Sequence, residues 1–149
     1  MSLNYFAFGS NMDKQRIIIR KVEFTDMQKG IMKDWKLVFN KRSDEDGVGF
    51  ANIVPEYGST VEGIIYKVNE NTIHTLEKKE GTPIHYHKKT MLVENSNKEF
   101  VDCMVYIANH SRTDNSIKPK KEYLNHLLEG KEFLSENYFS ELKNTETFD

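Results

Sequence analysis

One acidic residue lies on the apolar face of a predicted helix, where it could exchange protons with a bound molecule. The helix is expected to end at Gly81, and Ile73 and Leu76 mark its apolar stripe. At about 100° per residue, Glu80 lies about 20° from Ile73 on the helical wheel. Burial and the negative C-terminal end of the helix both predict a raised pKa for Glu80. Such a carboxyl group suits general acid–base catalysis, unless the helix frays and turns Glu80 into water.

A glycine-containing turn near the start of the chain could bind an anion through its backbone. Residues 3–8 are rich in aromatic side chains and predict a strand. This strand ends at Gly9, Ser10 and Asn11, before a helix that is expected at residues 12–19. Converging backbone N–H groups in such a turn bind a carboxylate or stabilise a developing oxyanion. A simple helix N-cap is the alternative, and Ser10 lacks the Gly-x-Ser-x-Gly frame of a nucleophile.

The histidines and the single cysteine do not predict a metal site. His85 and His87 would point to one face of a strand, but no carboxylate or cysteine accompanies them in the motif. Two exposed histidines are therefore expected. Cys103 lies in an apolar run and is expected to be a small buried side chain that forms no internal disulfide.

The composition describes one folded domain over residues 1–149, with a frayed tail at residues 145–149. Hydrophobic residues make up 38% of the chain, and 9 Phe and 7 Tyr supply enough apolar area for a core. A net charge of −2 argues against nucleic-acid binding. Apolar runs are too short to span a bilayer and no signal peptide is evident, so a cytoplasmic protein without a membrane partner is expected.

Strands dominate the first two thirds of the chain, and helical spacing of apolar residues begins at Pro119. Extended segments are predicted at residues 22–55, 61–68, 84–94 and 99–108, and a loop at residues 109–118. This order favours an α+β fold in which helices flank a strongly curved sheet or small β-barrel.

Several motifs together resemble the γ-glutamylcyclotransferase-like family. The segment Tyr5-Phe6-Ala7-Phe8-Gly9-Ser10-Asn11-Met12 resembles the family's opening Tyr-Phe-Ala-Tyr-Gly-Ser-Asn, which an apolar residue follows. The likeness runs from about residue 4 to residue 143. Its later motifs are a Gly-x-Ala strand at 49–53, Gly-x-x-Tyr at 63–66, Leu-Asp-x-x-Glu-Gly at 76–81, a tyrosine at 86 and Tyr-x-x-x-Leu at 138–142.

This resemblance implies a mixed β-barrel enzyme that cyclises a γ-glutamyl group to 5-oxoproline and releases an amine or amino acid. It implies a small γ-glutamyl substrate and no metal or cofactor, and it leaves the oligomeric state open, a homodimer included. Glu80 corresponds to the family's acid–base glutamate. The substrate-binding residues it implies are Tyr5, Phe6, Ala7, Phe8, Gly9, Ser10, Asn11, Tyr86, Tyr106 and Tyr123.

Two departures and two alternatives accompany this interpretation. Phe8 replaces a family tyrosine and Glu77 replaces an aspartate. A non-catalytic module that binds a γ-glutamyl ligand is the first alternative. The second is a cyclotransferase that acts on a γ-glutamyl-amine or a biosynthetic intermediate. The leaving group is expected to depend on segments 40–48 and 109–121, which we predict to form the outer wall of the pocket.

Overall fold

A closed five-stranded barrel forms the centre of the protein in the computed structural model, which describes residues 2–149. The strand order is β1-β3-β2-β4-β5, and β5 closes the barrel by pairing in parallel with β1 while the other pairs are antiparallel. The predicted mixed barrel is therefore confirmed. The strands are β1 (Ser2–Ala7), β2 (Phe24–Arg42), β3 (Gly49–Asn69), β4 (Tyr86–Glu94) and β5 (Phe100–Ala108).

Within residues 2–149, four α-helices and four short 3₁₀ helices flank the barrel. The α-helices are α1 (Lys14–Ile19), α2 (Ile73–Glu80), α3 (Lys121–Leu128) and α4 (Glu136–Lys143). The 3₁₀ helices are Ser10–Met12, Glu70–Thr72, His110–Arg112 and Lys131–Phe133. In the described part of the chain, none of the helices has the length and apolar character needed to cross a membrane.

Helix α2 ends where the sequence predicted. Gly81 follows it in the left-handed conformation, with φ of 68°, which glycine adopts without a Cβ penalty. The helix predicted at residues 12–19 is instead a 3₁₀ turn followed by α1. Asp13 separates the two, and its side chain caps α1 by accepting a hydrogen bond of 3.1 Å from the Gln15 N–H group.

The long hairpin of β2 and β3 differs from the prediction of separate strands on either side of residue 60. Strand β3 is continuous over 21 residues, but its register against β2 shifts between the pairs Lys33–Thr60 and Trp35–Pro55. Residues 56–59 leave the ladder there, with Gly58 at φ of 87°. The turn-forming residues of this segment therefore form a bulge within one continuous strand and do not end the strand.

Two apolar layers share the strands because alternate side chains point to opposite faces. One layer contains only side chains from strands and strand ends, and it fills the barrel. Cys103 belongs to it and is buried as predicted, and this burial raises the pKa of its thiol to about 12. The other layer includes Ile17, Leu76 and Leu127, which attach the helices to the outside of the barrel.

The predicted frayed tail at residues 145–149 is wrong, because the tail docks against the segment that leads into α3. The Phe148 N–H group donates to the carbonyl of Pro119 at 2.8 Å. The Asp149 carboxylate accepts a hydrogen bond of 2.9 Å from the Lys121 N–H group. These partners are about 30 residues away in sequence, so the local composition of the tail could not reveal them.

Candidate active site

A cavity of about 730 Å³ lies between the β1–α1 connection, the end of α2 and the segment after β2. Ten of the eleven predicted site residues line it. Ala7 does not line the cavity, since its short side chain is buried in the layer beneath the helices. The barrel thus brings together residues that lie far apart in the sequence.

Glu80 is half-buried and faces this cavity from the last position of α2. Burial raises the pKa of the Glu80 carboxyl to about 7. The cations Arg20, Lys41 and Arg16 act in the opposite direction and keep the pKa from rising further. A carboxyl group with this pKa can both accept and donate a proton near neutral pH.

Asn11 fixes the loop that follows β1. Its side-chain amide donates to the Tyr5 hydroxyl at 3.0 Å, and its side-chain oxygen accepts from Arg20 at 2.7 Å. Its backbone carbonyl accepts a hydrogen bond of 2.6 Å from the Tyr66 hydroxyl. Asn11 is 3% exposed, so these three contacts hold the loop from inside the protein.

Gly9 brings the same loop close to strand β3. A Cβ atom at position 9 would lie 3.1 Å from the Cβ of Ala51 and 3.4 Å from the Tyr123 hydroxyl. The next residues form the 3₁₀ helix, whose first N–H groups have no acceptor within the helix. Because Gly9 has no side chain, the backbone of this loop is directly exposed at the cavity wall.

Three tyrosines form much of the remaining wall. The Tyr123 hydroxyl accepts a hydrogen bond of 3.0 Å from the N–H of Ala51, and the Tyr86 hydroxyl donates to the carbonyl of the same residue at 3.3 Å. Burial raises the pKa of Tyr123 to about 12. Within residues 2–149 the buried Tyr106 hydroxyl has no hydrogen-bond partner, which leaves a donor available for a ligand.

Two arginines in the cavity wall, Arg16 and Arg20, were not predicted from the sequence. Arg16 lies on α1 and Arg20 follows one turn later as the C-terminal cap, so their spacing could have placed them on one face of that helix. Arg16 contacts the Nε2 atom of His126 at 3.2 Å, and the Nδ1 atom of His126 contacts Asp13 at 2.8 Å. Lys41, near the end of β2, also lines the cavity and belongs to segment 40–48, which was predicted to form the outer wall.

Of the two segments predicted to form the outer wall of the pocket, segment 40–48 lines the cavity and segment 109–121 largely does not. Residues 41–45 and Val48 line the cavity, whereas segment 109–121 contributes only Lys120. His85 also lines the cavity and is half-buried, so the expectation of two exposed histidines is wrong for this residue. Residues 2–149 contain no group of three or more His, Cys, Asp or Glu side chains arranged to hold a metal ion.

The protein is a closed mixed barrel with one cavity that contains both the Glu80 carboxyl group and the glycine loop. This combination is typical of a protein that binds a small molecule. The chain belongs to the family described as gamma-glutamyl cyclotransferase, AIG2-like, whose model matches residues 5–125. Two solved structures share the fold over nearly the whole chain. A gamma-glutamyl cyclotransferase is 26% identical with a TM-score of 0.88, and 100% of this chain and 90% of the other are covered. An uncharacterized Homo sapiens protein is 27% identical with a TM-score of 0.87, and the coverage is 99% and 90%.

Sequence relatives match a shorter part of the chain. Gamma-glutamylcyclotransferase of Bos taurus is 33% identical over 84 residues, and that of Homo sapiens is 32% identical over 84 residues. In both cases the match covers 54% of this chain and 45% of the relative. The matched segment therefore spans less than half the length of these relatives.

Proposed function

We propose that this protein is a γ-glutamylcyclotransferase, which converts a γ-glutamyl amide to 5-oxoproline and releases the amine. The observation that carries this proposal is the placement of Glu80, with a pKa of about 7, in the same cavity as the glycine loop after β1. Membership of the family and the names of the relatives support it. The cavity volume also lies within the usual range for small-molecule sites.

The reaction is an intramolecular acyl transfer in which Glu80 moves the proton. The α-amine of the substrate attacks its own γ-carbonyl carbon, so a C–N bond forms in a five-membered ring and the original amide C–N bond breaks. Glu80 accepts the proton that the amine loses and then delivers it to the departing nitrogen. Because both reacting groups belong to one molecule, correct folding of the substrate in the cavity supplies much of the acceleration.

Backbone N–H groups of the loop around Gly9 and Ser10 are proposed to stabilise the charge that develops on the carbonyl oxygen. The close packing of Gly9 on Ala51 keeps this part of the loop in place. Phe8 offers no hydroxyl group, and its ring packs with Phe6 at a centroid distance of 6.2 Å. The backbone contacts do not depend on that missing hydroxyl, and the unpartnered Tyr106 hydroxyl is available to orient the substrate.

Incubation with a panel of γ-glutamyl amino acids and γ-glutamyl amines tests the proposal. We expect 5-oxoproline and the free amine in equal amounts, detected by chromatography and mass spectrometry. A non-catalytic binding module would instead bind members of the panel in calorimetry without forming product. That outcome would overturn the enzymatic function and favour the alternative.

A further inference from the structure

We propose that His126, fixed by Asp13, is a positioning residue that holds the Arg16 guanidinium in the cavity wall. His126 acts as a neutral imidazole that carries its proton on Nδ1. Neither Asp13 nor His126 lines the cavity, so both act through Arg16, which does. This inference rests on the proposed function, because it explains how one wall of the same cavity is kept in place.

Arg16 is a cation with little compensation from its own surroundings. It lies on α1 and lines the cavity together with Arg20. Burial, together with the like charge of Arg20, lowers the pKa of the Arg16 guanidinium. Among residues 2–149, Arg16 forms no ion pair, and its buried Nε atom has no hydrogen-bond partner. Such a long side chain needs a specific contact to keep a single orientation.

His126 supplies that contact from α3. Its Nε2 atom lies 3.2 Å from a terminal nitrogen of the Arg16 guanidinium. A guanidinium group only donates hydrogen bonds, so Nε2 must be the acceptor and cannot carry a proton. A protonated Nε2 would bring two N–H groups and two positive charges against each other at this distance. The contact therefore fits only the neutral imidazole.

Asp13 selects the required form of the imidazole. The Nδ1 atom of His126 lies 2.8 Å from the Oδ2 atom of Asp13, and a carboxylate there favours the proton on Nδ1. The Oδ1 atom of Asp13 accepts a hydrogen bond from the Gln15 N–H group and so caps α1, the helix that carries Arg16. One carboxylate therefore fixes both the start of this helix and the imidazole that faces Arg16.

The orientation of Arg16 bears on the proposed proton carrier. Burial raises the pKa of Glu80, and Arg16 is one of three cations that oppose this shift. A guanidinium that turned away from the wall would remove a positive charge from the surroundings of Glu80 and change the shape of the cavity. The contact between His126 and Arg16 is therefore expected to affect turnover although His126 does not touch the substrate.

Nitrogen NMR of the wild-type protein tests the state of the imidazole directly. With isotope-labelled histidine at a pH of about 8, where histidine is ordinarily neutral, we expect His126 to carry its proton on Nδ1. A histidine side chain in water favours the proton on Nε2, so the expected state is the less common one. The spectrum of His126→Gln assigns the signals. A wild-type His126 that is protonated on Nε2 at this pH would overturn the inference.

Two variants separate the acceptor of His126 from the volume of its side chain. His126→Leu keeps most of the volume but has no acceptor, and we expect kcat/KM for a γ-glutamyl amino acid to fall by about tenfold. His126→Gln can place an amide oxygen near the position of Nε2 and should restore most of this loss. Asn125→Leu, an exposed change at the neighbouring position of α3, is the matched control and should keep the wild-type value. Equal losses in the two His126 variants would contradict the role of the acceptor.

Asp13→Asn tests the selection of the tautomer while the helix keeps its cap. Asparagine can still cap α1 through its side-chain oxygen, which turns its NH₂ group toward Nδ1 of His126. The imidazole proton would then move to Nε2 and the acceptor for Arg16 would be lost. We expect a loss in kcat/KM similar to that of His126→Leu. A wild-type kcat/KM in Asp13→Asn would show that the tautomer of His126 does not matter.

A double-mutant cycle with Arg16→Met shows whether His126 acts through Arg16. His126→Leu should have little further effect on kcat/KM in the Arg16→Met background, because the contact is already lost. Two losses that multiply in full would mean that His126 supports the fold independently of Arg16, and they would overturn its role. If His126→Leu does not fold, as judged by circular dichroism, the same cycle is measured with Asp13→Asn.

Exchange of the Arg16 Nε–H proton with water separates this inference from the proposed function, because it needs no turnover. The exchange should be about tenfold faster in His126→Leu than in the wild-type protein, and close to the wild-type rate in His126→Gln. If no γ-glutamyl compound yields 5-oxoproline, the proposed function fails, but these rates still decide whether His126 holds Arg16. Equal exchange rates in all three proteins would contradict the inference.

Discussion

The hydroxyl of Tyr66 donates a hydrogen bond of 2.6 Å to the backbone carbonyl of Asn11, 55 residues earlier in the chain. Tyr66 is fully buried in β3, so this contact ties the loop after β1 to the rigid barrel. It also gives the Gly-x-x-Tyr motif a physical role. The tyrosine holds the glycine loop that we propose to contact the reacting carbonyl group.

Loss of this hydroxyl in Tyr66→Phe should weaken the protein and misplace the loop. The Asn11 carbonyl would be left buried and unpaired, and we expect the free energy of unfolding to fall by about 1–3 kcal/mol. We also expect a lower kcat for the folded variant, measured with a γ-glutamyl amino acid. Tyr57→Phe removes a hydroxyl from a side chain that is 94% exposed and should change neither quantity. An unchanged kcat for Tyr66→Phe would mean that the other contacts suffice to hold the loop.

Replacement of the proposed proton carrier in Glu80→Gln should abolish most of the activity without unfolding the protein. Glutamine keeps the shape of the side chain but cannot accept a proton from the substrate amine. We expect the rate of 5-oxoproline formation to fall by about 10² to 10⁴-fold. Thermal melting should show an intact fold.

Glu77→Gln is a matched control for this change. Glu77 lies on the same helix but pairs with Lys88 at 3.2 Å, and it does not line the cavity. A loss of activity is expected only at position 80. Near-full turnover by Glu80→Gln would contradict the assignment of the proton carrier.

The dependence of kcat/KM on pH should report the ionisation of Glu80. The carboxylate form is the proposed base, so activity should rise with pH and level off above about 7, the pKa that burial gives this group. Below that value, each pH unit should lower the rate by about tenfold. An acidic limb near 4.5, the ordinary value for a glutamate, would show that the catalytic base is a different or fully solvated carboxyl group.

Arg20 offers a test of the sign of this effect. Of the three cations that lower the pKa of Glu80, Arg20 has the largest effect. Arg20→Gln should therefore move the acidic limb to higher pH by roughly half a unit or more. Because Arg20 also donates to Asn11, the overall activity is expected to fall as well, and the position of the limb is the informative quantity. Arg20→Lys retains the charge and should leave the limb near its wild-type position.

Short sequence patterns predicted those parts of the candidate site that lie within a single helix or a single strand–loop segment. The helical wheel placed Glu80 on the inward face because Ile73 and Leu76 share that face, and Gly81 marked the end of the helix. The glycine loop was evident because a strand, a glycine and a helix start follow one another within a few residues. In these cases short-range geometry alone fixes the direction of a side chain.

Other features of the site depend on the closure of the barrel and had no local signal. Lys41 lies in segment 40–48, which we predicted to form the outer wall, but its burial had no local signal and depends on contacts such as that with the Tyr86 ring. The docked tail likewise depends on contacts with residues 119–121. The pairing of distant segments determines both features, and neither periodicity nor composition encodes that pairing.

A buried amide network at the end of the barrel provides the last prediction. Asn52 is 2% exposed, donates to the side-chain oxygen of Asn40 at 2.9 Å and accepts from the N–H of Ala108 at 2.8 Å. Asn52→Leu would remove the partner of the Asn40 side-chain oxygen and of the Ala108 N–H group, so we expect the free energy of unfolding in urea to fall by about 2–4 kcal/mol. Asn97→Ala, at an exposed turn position, should cost well under 1 kcal/mol by the same measurement. Equal losses in the two variants would mean that the network relaxes freely and does not hold strands β2, β3 and β5 together near the cavity.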